Sequence, residues 1–307
     1  LKEGELFLAQ TIFIGATQYI DLLKARLGQK LNFLEGNGLK VVLEERPAGK
    51  LTFLSCRLTG YGSYIYTREE DCWIAFRQFL ADIISDLILN HWENHLLEDI
   101  IRETYFYFDS QERKIIYNYA LNHIYNNEES SLEQAYRSDR KSRILQKVMD
   151  FLYHNNSVVI DGFIRFRLKE YLGELQDAAD KAVDDYLMER EYQEFIQLLK
   201  YFVDIQEPRV EVVNIMVNGA GNFKLYDEKM EAIKNDYMEG FVVELVDNEI
   251  NYEDLLISAL ITIAPKNIVL HYQGDCGKSA TIDTIKGVFT GRVLECAGCS
   301  LCWKNEV

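Results

Sequence analysis

The chain has 307 residues, of which 33 are Lys or Arg and 49 are Asp or Glu, giving a formal net charge of −16. Affinity for phosphate backbones comes largely from Lys and Arg releasing counterions, so this balance argues against a general binder of duplex DNA. Hydrophobic residues make up 48% of the chain and prolines number only three, which excludes a disordered polypeptide and points to a helix-rich globular protein.

In chain order, Leu6 to Ile14 is an apolar run of strand length. Ala16 to Leu34 then places Ile20, Leu23, Leu27, Leu31 and Leu34 at helical steps, and Leu39 to Leu43 and Leu51 to Leu58 flank Pro47-Ala48-Gly49 as a hairpin. From Glu69 the pattern is helical, through Trp73 to Phe108, Gln111 to Tyr125, Ser131 to Tyr153 and Ser157 to Ile205. Pro208 stops the last helix, since it lacks a backbone donor and disfavours helical geometry in the residue before it. Strands follow at Val210 to Val217 and Phe223 to Tyr226, joined by a turn at Asn218 to Asn222, and a further strand is expected at Phe241 to Val246. Tyr252 to Ile263 reads as a helix, Ile268 to Tyr272 as a strand, Ala280 to Phe289 as a helix and Arg292 to Glu295 as a short strand. Such alternation predicts βαβ units.

The expected fold is therefore α+β, with a small N-terminal α/β element over 1–65, a helical region over 66–208 and a C-terminal, partly parallel sheet with helices over 209–307. The longest apolar candidate, Leu255 to Ala264, falls well short of the roughly 20 residues that span a bilayer, so an integral membrane protein is not expected. Glu3 and Glu5 lie where a secretory signal would be basic, and a cytoplasmic location is expected.

Chemistry is concentrated at Cys296-Ala297-Gly298-Cys299-Ser300-Leu301-Cys302. Two-residue gaps let neighbouring thiolates turn toward one ion, and Gly298 permits the tight bend this needs. Cys276, in the loop after the preceding strand, is the candidate fourth ligand, and the cluster reads as a zinc or iron–sulfur site, a redox-active thiol pair, or simple packed or surface thiols. Gly274-Asp275-Cys276-Gly277-Lys278-Ser279 is two residues short of a phosphate-binding loop, with Tyr272 where its first glycine belongs. His91 and His95 share a zincin-like spacing, yet Trp92 occupies the place of the zincin glutamate, which leaves two solvent-facing histidines or a structural ion held with Glu98. Arg137, Arg140, Lys141, Arg143 and Lys147 form a basic helical patch, a solvated face or a partner surface. No catalytic residue is nominated.

Gly162-Phe163-Ile164-Arg165-Phe166-Arg167-Leu168, followed by Glu191-Tyr192, Phe195-Ile196, Leu198-Leu199, Tyr201-Phe202-Val203 and Gln206, resembles the YtxC-like family of sporulation proteins from spore-forming Firmicutes. The likeness extends from about Phe13 to Cys302. It implies a cytosolic, sporulation-associated protein with no established activity. Most motif residues lie on apolar stripes that packing explains, whereas Arg165, Arg167, Glu191 and Gln206 are polar members that packing does not demand. The leading expectation is a protein that acts through contacts with protein partners, without catalysis. The alternative is a metal-binding or thiol-redox protein centred on Cys296, Cys299 and Cys302.

Overall fold

A computed structural model describes residues 10–36, 38–61, 68–125, 130–217, 223–233, 252–272, 280–299 and 302. The architecture is α+β, and the chain divides into two compact units, 1–187 and 188–307.

In the first unit a four-stranded sheet has the order β2-β3-β1-β4, formed by β1 (Gln10–Ala16), β2 (Leu39–Ala48), β3 (Leu51–Tyr61) and β4 (Ser157–Val159). The β2–β3 hairpin is antiparallel, β3 pairs antiparallel with β1, and β4 runs parallel to β1. Alternation sets the buried face: Ile12 and Ile14 of β1 and Leu54, Cys56 and Leu58 of β3 are all but inaccessible. Against them pack Leu23 and Leu27 of α1 (Ile20–Gly36) and Phe76, Leu80 and Ile84 of α2 (Glu69–Leu87). The same core takes in Ile116 and Ala120 of α4 (Ser110–Tyr125), and Ile144, Val148 and Leu152 of α5 (Ser130–His154). It also includes Ile160 and Ile164 of α6 (Ile160–Arg167) and Leu175, Ala179 and Ala182 of α7 (Lys169–Ile205). The division between units falls within α7, which ends three residues before Pro208.

Two expectations need correction. The stretch Ser157 to Ile205 is not helical from its start, because Ser157-Val158-Val159 is β4, with Ile14 opposite Val158. Three residues are too few to show a period, and the pairing that makes them a strand lies in β1, far away in sequence. Nor is Trp73 to Phe108 one helix: a π-turn at Ile88–Trp92 separates α2 from α3 (Glu93–Thr104). Its extra residue re-phases the inward stripe, and Trp92 and Glu93 are both buried.

Gly15 lies opposite Phe53 in the β1–β3 ladder, and a Cβ there would meet the ring at 2.6 Å. Gly15→Ala is expected to destabilise this unit by about 1–3 kcal/mol through overpacking. Urea unfolding reads the loss directly, and an unchanged midpoint would mean that the ring moves aside at no cost.

In the second unit the sheet order is β6-β5-β7-β8, from β5 (Val210–Val217), β6 (Phe223–Tyr226), β7 (Pro265–Tyr272) and β8 (Val293–Glu295). β5 pairs antiparallel with β6 and parallel with β7, which runs parallel to β8, so the sheet is partly parallel as expected. The crossovers contain α8 (Tyr252–Ile263) and α9 (Ala280–Val288). Val213, Ile215 and Val217 alternate along β5 into a core shared with Ile268 and Leu270 of β7, Leu260 of α8, and Ile282 and Ile285 of α9. The strand expected at Phe241 to Val246 and the turn at Asn218 to Asn222 lie outside the described residues.

Candidate metal centre

Since successive side chains of a strand point to opposite faces, residues between the core positions of β5 and β7 emerge on the other side of the second sheet. There lie Asn214 and Met216 of β5 and His271 of β7, all buried, with Met216 opposite His271 in the parallel register. The β7–β8 ladder is prolonged when Cys296 N–H donates to Leu270 O at 2.9 Å, which brings the segment after β8 beside the end of β7. Gly298 then takes φ +114°, a conformation strained for any residue with a Cβ. A further bend closes when Cys302 N–H donates to Cys299 O at 3.1 Å.

These bends gather Cys296, Cys299 and Cys302 around His271, with the four prospective ligand atoms all within 4.8 Å of one another. Cys299 Sγ is 3.4 Å and Cys302 Sγ 3.6 Å from His271 Nδ1, and the two sulfurs are 3.7 Å apart. Zinc bonds of about 2.3 Å to sulfur and 2.0–2.1 Å to nitrogen, arranged tetrahedrally, imply edges of about 3.8 Å between sulfurs and 3.6 Å between sulfur and nitrogen. The observed spacings are those of ligands converging on one ion. A four-iron cluster, in which each iron takes its own protein ligand, holds those ligands farther apart. Burial lowers the pKa of His271, which favours the neutral imidazole that a metal requires.

Cys276, the expected fourth ligand, lies outside the described residues, as does the Gly274 to Ser279 loop. His271 was missed. Its signal was a polar residue in an otherwise apolar strand, Ile268-Val269-Leu270-His271-Tyr272, one step out of phase with the core positions. Cys56 and Cys72 lie in the core of the first unit, where burial pushes the Cys56 thiol up to about 12 and leaves it unreactive.

The other candidates separate into structural roles. With His91 in the π-turn and His95 in α3, the rings take different partners: His91 packs against Tyr19 with centroids 6.1 Å apart, and His95 Nε2 lies 3.5 Å from Asp99. In the basic patch, Lys141 pairs with Asp82 at 2.8 Å and Asp86 at 2.7 Å, Lys147 with Glu170 at 3.1 Å, and Arg143 with Glu174 and Asp139. Arg140 is not on the surface at all, but buried against Glu93 at 2.5 Å. The side chain of Arg137 lies outside the described residues. Arg165, Glu191 and Gln206 are exposed, and Arg167, also exposed, places its guanidinium 5.8 Å from the centre of the Phe151 ring.

The sequence model of the YtxC-like family matches residues 78–294, more than half of the chain. The chain belongs to the YtxC-like family. It is 30% identical over 219 residues to a Bacillus subtilis (strain 168) protein described as "Uncharacterized protein YtxC", an alignment covering 71% of this chain and 76% of that protein. No solved structure matches. Within the stretch matched to the YtxC-like family lie Asn214 and His271, and Cys296 follows it closely. Among the described residues, no helix is long and apolar enough to cross a membrane.

Proposed function

We propose that this YtxC-like protein is a metal protein whose second unit holds a single zinc ion on His271, Cys296, Cys299 and Cys302. The observation that carries the reading is the convergence of His271 Nδ1 with the sulfurs of Cys299 and Cys302 at 3.4–3.7 Å, the edge lengths of a one-ion tetrahedron. Four protein ligands leave no position for a substrate, which suits a structural centre better than a catalytic one. That agrees with a protein acting through contacts in the cytoplasm of a sporulating cell. Exposed apolar side chains along α7, Met188, Phe195, Leu198, Phe202 and Ile205, support the contact role.

Elemental analysis and absorption spectroscopy of anaerobically purified, untagged protein test the zinc reading. One zinc per chain is expected, lost from the Cys296→Ser/Cys299→Ser/Cys302→Ser variant. Iron with a charge-transfer spectrum would replace zinc by a cluster, and protein free of metal that readily forms a Cys299–Cys302 disulfide would replace it by a redox dithiol.

A further inference from the structure

We propose that Asn214 is the positioning residue of the metal centre, fixing His271 in the tautomer that presents Nδ1 to the ion; the proposal rests on the zinc reading above.

Asn214 Nδ2 lies 2.9 Å from the backbone oxygen of Asp227, which can only accept a hydrogen bond. The amide must therefore turn its NH₂ toward Asp227 and its Oδ1 the other way, toward His271 Nε2 at 3.1 Å. Oδ1 can only accept, so Nε2 carries the proton. In a neutral imidazole the other nitrogen is then bare, and that nitrogen, Nδ1, is the atom facing Cys299 and Cys302. One acceptor of fixed polarity thus dictates the protonation of the ligand two hydrogen bonds away.

Both intermediaries are buried, with Asn214 6% and His271 4% exposed, so water competes poorly for either bond. Asp227 is itself held in place. Its Oδ1 accepts from the backbone N–H groups of Lys229 and Glu231, each at 2.9 Å, and its N–H donates to Glu231 O at 3.0 Å. Met230 adopts φ +63° within this turn, which follows β6. The metal centre is thereby coupled to an element that supplies none of its ligands.

Asn214→Leu removes the acceptor while keeping the branching at Cγ and the number of side-chain heavy atoms. Asn214→Asp keeps an acceptor for Nε2 and loses the N–H bond to Asp227, so it carries at least as much damage to the turn without the damage to the tautomer. Zinc affinity, measured by competition with a chromophoric chelator, should fall about 10- to 100-fold in Asn214→Leu, the usual cost of removing an outer-shell partner. It should stay close to wild type in Asn214→Asp. Equal losses in the two variants, or no loss in Asn214→Leu, would overturn the proposal. If Asn214→Leu fails to fold, nitrogen NMR of His271 in metal-free wild type decides: an Nε2–H ring is expected, and an Nδ1–H ring overturns it. A wild type that binds no zinc refutes the zinc reading itself, whereas a zinc-binding wild type with an indifferent Asn214 refutes only this inference.

Discussion

Replacing Arg140 by methionine is expected to lower the unfolding free energy of the first unit by about 3–5 kcal/mol, because it strands a buried carboxylate. Arg140 is 4% exposed and Glu93 1% exposed, with Arg140 Nη2 2.5 Å from Glu93 Oε2. Removing two charges from water costs several kcal/mol each, and further hydrogen bonds to the carboxylate offset part of that cost. Tyr125 donates to Glu93 Oε1 at 2.6 Å and Tyr171 to Oε2 at 2.7 Å. Burial, reinforced by the Glu93 charge, holds the Tyr171 pKa far above its ordinary value, so the phenol remains a donor at any ordinary pH. Take away the guanidinium and, among the described residues, the carboxylate keeps two neutral donors, Tyr125 and Tyr171. Because the cost lies in the stranded partner, Glu93→Met added to Arg140→Met should cost much less than the sum of the single changes, and adding Phe at positions 125 and 171 should recover most of the remainder. Denaturant unfolding of the series provides the measurement. Strictly additive losses would show that the two residues act independently and that the pair is not the origin of the effect.

Withdrawing zinc should weaken the second unit by a comparable amount. A ligand that binds only the folded form contributes RT ln(1 + [L]/Kd), about 2.7 kcal/mol at free zinc 100-fold above Kd and about 4.1 kcal/mol at 1,000-fold. The proposed ligands come from the end of β7 and from the segment after the three-residue edge strand β8, so a zinc ion bound there would act as a clasp on that edge. Chelation should therefore raise hydrogen exchange most across residues 293–302, leaving the β1–β3 ladder of the first unit unaffected. Identical exchange with and without chelator would mean that the cysteine segment holds to β7 without metal, and the clasp would be refuted.

The legibility of this protein varied with the range of the interactions involved. Strand bounds at Val210–Val217 and Phe223–Tyr226 and the helix at Tyr252–Ile263 could be read directly, because a period of two or of 3.6 is written in neighbouring residues and Pro208 marks the end of α7. Family membership was also legible, since the Gly162 to Leu168 and Glu191 to Gln206 motifs are local. At the candidate centre, the two-residue gaps of Cys296, Cys299 and Cys302 announced thiols able to share an ion.

Neighbouring residues thus carried the local elements, the family and three of the four candidate ligands. The partners came from the folded arrangement. It placed His271 beside the cysteines through the β7–β8 ladder, and Asn214 behind His271 through the β5–β7 pairing. It turned Ser157–Val159 into a strand against β1 and took Arg140 out of a basic surface patch into a buried pair with Glu93. Separation along the chain underlies each case. Such contacts join residues between 25 and 144 positions apart, as for Cys296 with His271 and Ser157 with Phe13, and no pattern of neighbours encodes which distant strand will supply the matching donor, acceptor or edge.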